Sequence, residues 1–162
     1  MKRNIWIKTS GLLLAWVVSL MFTSCYRDTL YYTYQHLPQD GWTRGDTVVF
    51  SLPEAYAKGN YRVEIGLRHN VHYPYCDLWL GMSVQTDSTS TRTDTLHLQL
   101  ASSEGAWQGN SSGGLFQFVE PETLPISIEG TDSLRSIQLF HLMKGMPLEG
   151  VSDLGIRLFQ EN

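Results

Sequence analysis

The sequence is short of several things, and each shortage closes a route to function. It has two cysteines in 162 residues. Cys25 ends an export-type leader, so Cys76 has no internal partner and the fold must stand on packing rather than on a disulfide. With no activating base identifiable beside it, Cys76 reads as a buried or half-buried structural thiol. Basic charge is scarce as well: 12 Lys and Arg stand against 16 Asp and Glu, and three of the basic residues lie within the first 24 positions. The remaining 138 residues hold nine basic and 16 acidic side chains, about −7 with neutral histidines. That balance argues against a nucleic-acid partner and leaves no basic run to hold an anionic membrane surface. Paired Cys or His ligands at zinc-site spacing are missing. His69 and His72 on one strand would point to opposite faces, and His97 and His141 are isolated, so neither a metal nor another cofactor is expected. Capped helical stripes are missing too; only Pro53 to Lys58 has room for a short helical turn.

What is present begins with the leader. Lys2, Arg3 and Lys8 precede an apolar stretch from about Leu12, and the small pair Thr23-Ser24 comes just before Cys25. An apolar core of about a dozen residues is too short for a membrane span, which needs roughly 20. A cysteine directly after the small pair resembles the lipobox of bacterial lipoproteins, with Phe22 where leucine is preferred. The resemblance implies that residues 1–24 are a lipoprotein signal peptide and that Cys25 is acylated as the first mature residue. Membrane attachment then rests on lipid alone, at roughly 0.8 kcal/mol per buried methylene. Residues 25–40 follow as a tether and possible edge strand, in which Tyr31, Tyr32 and Tyr34 pack on the domain or lie near headgroups. Residues 41–162 are long enough for one domain with an ordinary core.

Period two dominates that domain. Tyr61, Val63, Ile65 and Leu67 alternate with polar or small residues, as in a strand with one wet face. Similar alternation marks 47–52, 78–84, 96–100, 115–119, 126–128, 134–143 and 151–159, with turn formers between them. Eight or so short strands predict an all-β fold, a single antiparallel β-sandwich of jelly-roll type, with a closed β-barrel as the alternative. Gly155 inside a strand marks a bulge or a close backbone approach, and Pro147 with Gly150 marks a turn.

Chemical motifs are few. Gly109-Asn110-Ser111-Ser112-Gly113 matches the G-x-S-x-G of serine hydrolases, but alternation follows it where a helix is needed, so it reads as a flexible loop. His72-Tyr73-Pro74-Tyr75 and Trp79, with Trp42 and Trp107 elsewhere on the surface, offer aromatic faces for a protein partner or a glycan; the competing reading is packing at the end of a sandwich. Asp153 and Arg157 have even spacing, point the same way on a regular strand, and as an exposed pair would contribute only about 0 to 1 kcal/mol. Their joint replacement by alanine should then leave the melting temperature nearly unchanged.

Three segments carry a family resemblance. Arg68-His69 followed by Tyr73-Pro74-Tyr75 and Leu78-Trp79, then Gly105-Ala106-Trp107-Gln108-Gly109, then Met143 to Arg157 resemble the gliding-motility lipoprotein family GldH, with Ala106 where a lysine is common. The resemblance implies a non-enzymatic, membrane-anchored accessory of the gliding-motility and type IX secretion apparatus, without catalytic residues to carry over. Its partners would be the membrane, through Cys25, and other motility or secretion proteins. Candidate contact residues are Arg68, His69, Tyr73, Tyr75, Trp79, Trp107, Pro147, Asp153 and Arg157, with the loop Met146 to Asp153. A glycan-binding surface using Trp107, Tyr73 and Tyr75 is the alternative. Tyr26 after the cysteine resembles an outer-membrane signal, and Asp28 alone makes no acidic surface-export tag, so a periplasm-facing position is expected.

Overall fold

The computed structural model describes residues 29–87, 91–144 and 147–161; the expected signal peptide over 1–24 and the expected acylation site Cys25 lie outside them. Ten strands follow in order: β1 (Thr29–His36), β2 (Val48–Tyr56), β3 (Gly59–Asn70), β4 (Asp77–Thr86), β5 (Thr91–Gln99), β6 (Asn110–Ser112), β7 (Leu115–Val119), β8 (Leu124–Ile128), β9 (Leu134–His141) and β10 (Val151–Gln160). They form two antiparallel sheets, β1-β10-β3-β7-β6 with β8 also on β3, and β2-β9-β4-β5. β7 pairs with Gly66 to Asn70 and β8 with Gly59 to Val63, so the two act as one strand interrupted around Pro121. Counted that way, and with the three-residue β6 set aside as an added edge, eight strands remain in the order of a jelly roll. The closed barrel does not form. Its seam would run between β1 and β2, and side chains bridge that seam instead: Gln35 Nε2 donates to the Val49 carbonyl at 2.7 Å and the Tyr56 hydroxyl to the Leu30 carbonyl at 3.1 Å.

Alternation produces the core directly. Val63, Ile65 and Leu67 of β3 and Leu154, Ile156 and Leu158 of β10 face Phe50, Leu80, Met82, Ile137 and Leu139 from the other sheet, all essentially inaccessible. Two local expectations are corrected. Pro53 to Tyr56 continues β2 rather than making a helical turn; the register slips between Ser51 and Tyr56, and at such an edge bulge the missing proline N–H costs no ladder bond. Residues 110–112 are strand β6 rather than a flexible loop, turned onto β7 by Gly113 and Gly114 with φ of +59° and +83°. Ser111 therefore lies in a hairpin, with no helix behind it.

β1 is fastened to the outer face of its sheet by more than its ladder. Tyr34, Gly155 and Gly66 are successive register partners across β1, β10 and β3. The Tyr34 ring lies across both glycines: a Cβ at Gly155 would meet it at 2.7 Å and one at Gly66 would meet its hydroxyl at 2.1 Å. The Arg68 guanidinium sits 4.3 Å from the ring centroid and Tyr32 is edge-on at 5.8 Å. Burial and the neighbouring Tyr32 push the Tyr34 phenol up to about 12. The Gly155 signal was thus a close approach, by a side chain.

The topology separates two ends. β1 starts at the end that carries the short β2–β3 turn and the β8–β9 loop. Four longer connections, residues 37–47, 71–76, 100–109 and 142–150, gather at the other end.

Candidate functional site: the four-loop end

All three segments that carry the family resemblance reach this end, and backbone hydrogen bonds stitch the loops together. Trp42 and Leu148 exchange N–H···O bonds of 3.0 and 2.8 Å, joining the first loop to the fourth. The Cys76 carbonyl accepts from Leu100 N and Ala101 N, both at 2.9 Å, joining the second to the third. Asn70 N donates to the Gly150 carbonyl at 2.8 Å, tying the fourth loop to β3. Gly150 has φ +82°, and a Cβ there would stand 2.3 Å from Tyr73 N, so glycine is required twice over. Gly41, at φ +106°, similarly admits the Pro147 ring.

Beneath the loops lies an aromatic plug. His69, wholly buried, is stacked on Phe116 at 5.4 Å and edge-on to Trp107 at 4.6 Å, with Tyr73 at 5.7 Å. The Tyr73 hydroxyl donates to the Asp77 carbonyl at 2.7 Å. Trp42 packs edge-on against His141 at 5.1 Å and donates its Nε1–H to the Asp46 carbonyl.

Each buried histidine has one satisfied nitrogen. His69 Nδ1 lies 3.2 Å from the Asn70 carbonyl and His141 Nε2 lies 3.1 Å from that of Trp42; since a carbonyl only accepts, these are the N–H positions. His69 Nε2 and His141 Nδ1 have no hydrogen-bond partner among the described residues. Desolvation lowers both pKa values, against the raising effect of those carbonyls. The unfolded chain therefore binds more protons than the native one below about pH 6.5, and stability falls as pH drops from there to the lower native pKa values. Each histidine contributes a slope of up to about 1.4 kcal/mol per pH unit in that window. Denaturant titrations at a series of pH values should show His69→Phe flattening this dependence.

The candidate residues do not share one face. His69, Tyr73 (2 % exposed) and the half-buried Trp107 belong to the plug, so packing explains them and Tyr73 offers no stacking surface to a sugar. Tyr75 is half-buried, edge-on to Tyr73 at 5.9 Å, and Pro147 is exposed; Met146 lies outside the described residues. Arg68, Asp153 and Arg157 are on the outer face of the first sheet, whereas Trp79 is on that of the second. Asp153 and Arg157 do point the same way but take different partners. Asp153, 5 % exposed, holds His36 Nδ1 at 2.5 Å and the Ser152 hydroxyl at 2.8 Å, with Arg68 Nη1 at 3.9 Å. Arg157 donates to Thr29 Oγ1 at 2.9 Å and faces Glu64 at 3.9 Å. The exposure on which the expected unchanged melting rested therefore does not hold for Asp153, and removing its carboxylate strips these groups of an acceptor. Two burial assignments are reversed: Trp42 is 1 % exposed, and Cys76, in the loop before β4, is exposed while its carbonyl serves the third loop. Phe116, His97 and Phe140, none of them marked by spacing, matter more than several residues that were. Among the described residues no group of three or more His, Cys, Asp or Glu is placed to hold a metal.

These features define a jelly-roll domain whose elaborated end is opposite the start of its first strand. The profile of the GldH lipoprotein family matches residues 29–158, and the chain belongs to that family, as a membrane-anchored gliding-motility lipoprotein. The gliding motility lipoprotein GldH of Flavobacterium johnsoniae is 27 % identical over 160 residues, covering 96 % of this chain and 99 % of that protein. A GldH homolog of Christiangramia forsetii is 25 % identical over 146 residues, covering 86 % and 88 %. Among solved structures, a fructofuranosidase from Schwanniomyces occidentalis aligns at TM-score 0.42 and 10 % identity, over 85 % of this chain and 35 % of that one, too low to establish a shared fold.

Proposed function

We propose that this lipoprotein is a non-catalytic assembly component of the gliding-motility and type IX secretion apparatus, acylated at Cys25 and held at the periplasmic side of the outer membrane. In this reading it meets its protein partners through the four-loop end. The observation that carries it is convergence: residues 68–79, 105–109 and 143–150, far apart in the chain, come together at one end. Chain geometry supports the direction. Four residue steps separate Cys25 from Thr29, at most about 14 Å at 3.3–3.6 Å each, so the end where β1 begins stays close to the lipid. β10 alone, ten residues, extends about 33 Å toward the other end. The anchor thus presents the loops to the periplasm and keeps the opposite end against the bilayer.

Affinity purification of the acylated protein from detergent-solubilised outer membranes tests this reading, with Cys25→Ala as the unanchored control. Motility or secretion proteins should co-purify, and the exposed loop-end changes Val71→Glu and His72→Glu together should reduce their recovery about tenfold at unchanged melting temperature. Undiminished recovery from that folded variant would place the contacts elsewhere.

A further inference from the structure

The outward face of the β2-β9-β4-β5 sheet is unusual in its chemistry. On β4 its outward positions are Asp77, Trp79, Gly81, Ser83 and Gln85, alternating with the buried Leu78, Leu80, Met82 and Val84. Between Asp77 at the loop end and the Asp87–Arg135 ion pair at the other, the outward positions described on β4, β5 and β9 carry no acidic or basic side chain other than His97. Hydroxyls and amides occupy them instead: Ser83 and Thr93 share a 3.0 Å hydrogen bond, and Gln138 donates to Gln85 at 3.2 Å. In a chain with 17 % charged residues, an exposed sheet face of this kind calls for an explanation.

Two aromatic rings are fixed on that carpet. Trp79, 42 % exposed, is stacked on His97 at 4.1 Å with 18° between planes. A single oxygen, Asp77 Oδ2, accepts from Trp79 Nε1 at 3.1 Å and is bonded to His97 Nε2 at 2.8 Å, so both rings are held in orientation before any ligand arrives. Phe140 lies over Gly81, where a Cβ would meet its ring at 2.3 Å. Gly81 is two residues from Trp79, about 6.6 Å along the strand, so both rings stand on the same outward face of β4 and its neighbours.

We propose that this face binds a neutral, equatorially linked oligosaccharide, its sugar rings lying on Trp79 and Phe140 and its hydroxyls meeting the Ser, Thr and Gln side chains. Pyranose rings with equatorial linkages form a flat ribbon whose C–H faces pack on aromatic rings and whose edges need uncharged donors and acceptors. An open, uncharged sheet face with fixed rings and a hydroxyl and amide surround matches that ribbon in polarity and offers it room to lie along the strands. An α-linked, helically curved chain could set fewer of its rings on Trp79 and Phe140 at once, and an anionic one finds no cation among these outward positions. The site adjoins the loop end at Asp77 and Trp79 but lies on the outward sheet face and does not depend on the assembly role; Tyr73, by contrast, is buried and offers no surface to a glycan.

The test is titration of the mature domain with cellohexaose and with chitohexaose, following backbone amide shifts, and with maltohexaose as the curved comparator. Saturable shifts confined to β4, β5 and β9 are expected with at least one ribbon, with maltohexaose weaker. Trp79→Ala should weaken binding about tenfold, the scale of one lost stacking contact. Thr95→Arg, exposed and opposite Gly81, should obstruct the face without touching the core. No saturable shift with either ribbon, or equal binding by the folded Trp79→Ala and Thr95→Arg variants, would overturn the proposal.

Discussion

Replacing Gly150 by alanine should lower the melting temperature by about 10 °C, because a left-handed backbone and a steric collision act at the same residue. The φ of +82° alone costs about 1 kcal/mol for a residue with a Cβ. In addition, the new atom would sit 2.3 Å from Tyr73 N and 2.8 Å from the His72 carbonyl carbon, backbone atoms that cannot swing aside. Displacing that strand end also breaks the Asn70 N to Gly150 O hydrogen bond, so about 3 kcal/mol in total is expected. Gly105 supplies the control. Its φ is also +82°, but no atom lies within 4 Å of its would-be Cβ, and Gly105→Ala should therefore cost only about 1 kcal/mol. Calorimetry of both variants checks this; equal losses would show that Gly150 is needed for its backbone conformation alone.

The second large effect is expected on the outer face of the first sheet, where Tyr34 and Gly155 should behave as one unit. Tyr34→Ala removes a half-buried ring together with its contact to Arg68 and should cost about 2 to 3 kcal/mol. Gly155→Ala places a methyl 2.7 Å from that ring and should cost a similar amount by lifting it off the sheet. In the double variant the methyl enters the space that the ring vacated, so the second change should add little, and a coupling of about 1 to 3 kcal/mol results. Denaturant midpoints of the four proteins measure it, and simple additivity would mean that the ring does not lie where the structure places it. In the proposed reading, with the anchor at Cys25, loosening β1 would lengthen the tether between the lipid and the domain.

Much of this architecture was legible in period-two alternation. The core of β3 could be read residue by residue, because one wet face forces Val63, Ile65 and Leu67 to the same side. The eight alternating segments all became strands, and β1, an edge strand with mostly half-buried side chains, was visible only as a possibility. Pairing was not readable from the pattern. That Gly155 stands opposite Gly66, or that Trp79 stands opposite His97, depends on register, which alternation leaves open by any even number of residues. The same gap explains the site. Aromatic residues near loops carry no mark of whether they plug the sandwich or face water, so Trp42 was placed outside when it is inside, while for Tyr73 the packing reading is the one that holds. Asp153 looked like half of a surface pair, because its real partners, His36 and Arg68, are supplied by neighbouring strands. The serine-rich turn failed as a nucleophile elbow for the reason anticipated, the missing helix, yet it forms a hairpin rather than a slack loop.

The claim on which the account rests is that the two ends of the sandwich face different neighbours. Photo-crosslinking in intact cells from a probe at Pro74, in the loop end, and from one at Lys58, in the β2–β3 turn, tests it directly. The probe at 74 should capture motility or secretion proteins and the probe at 58 should label lipid. Protein adducts from position 58, with lipid or no adduct from position 74, would contradict it.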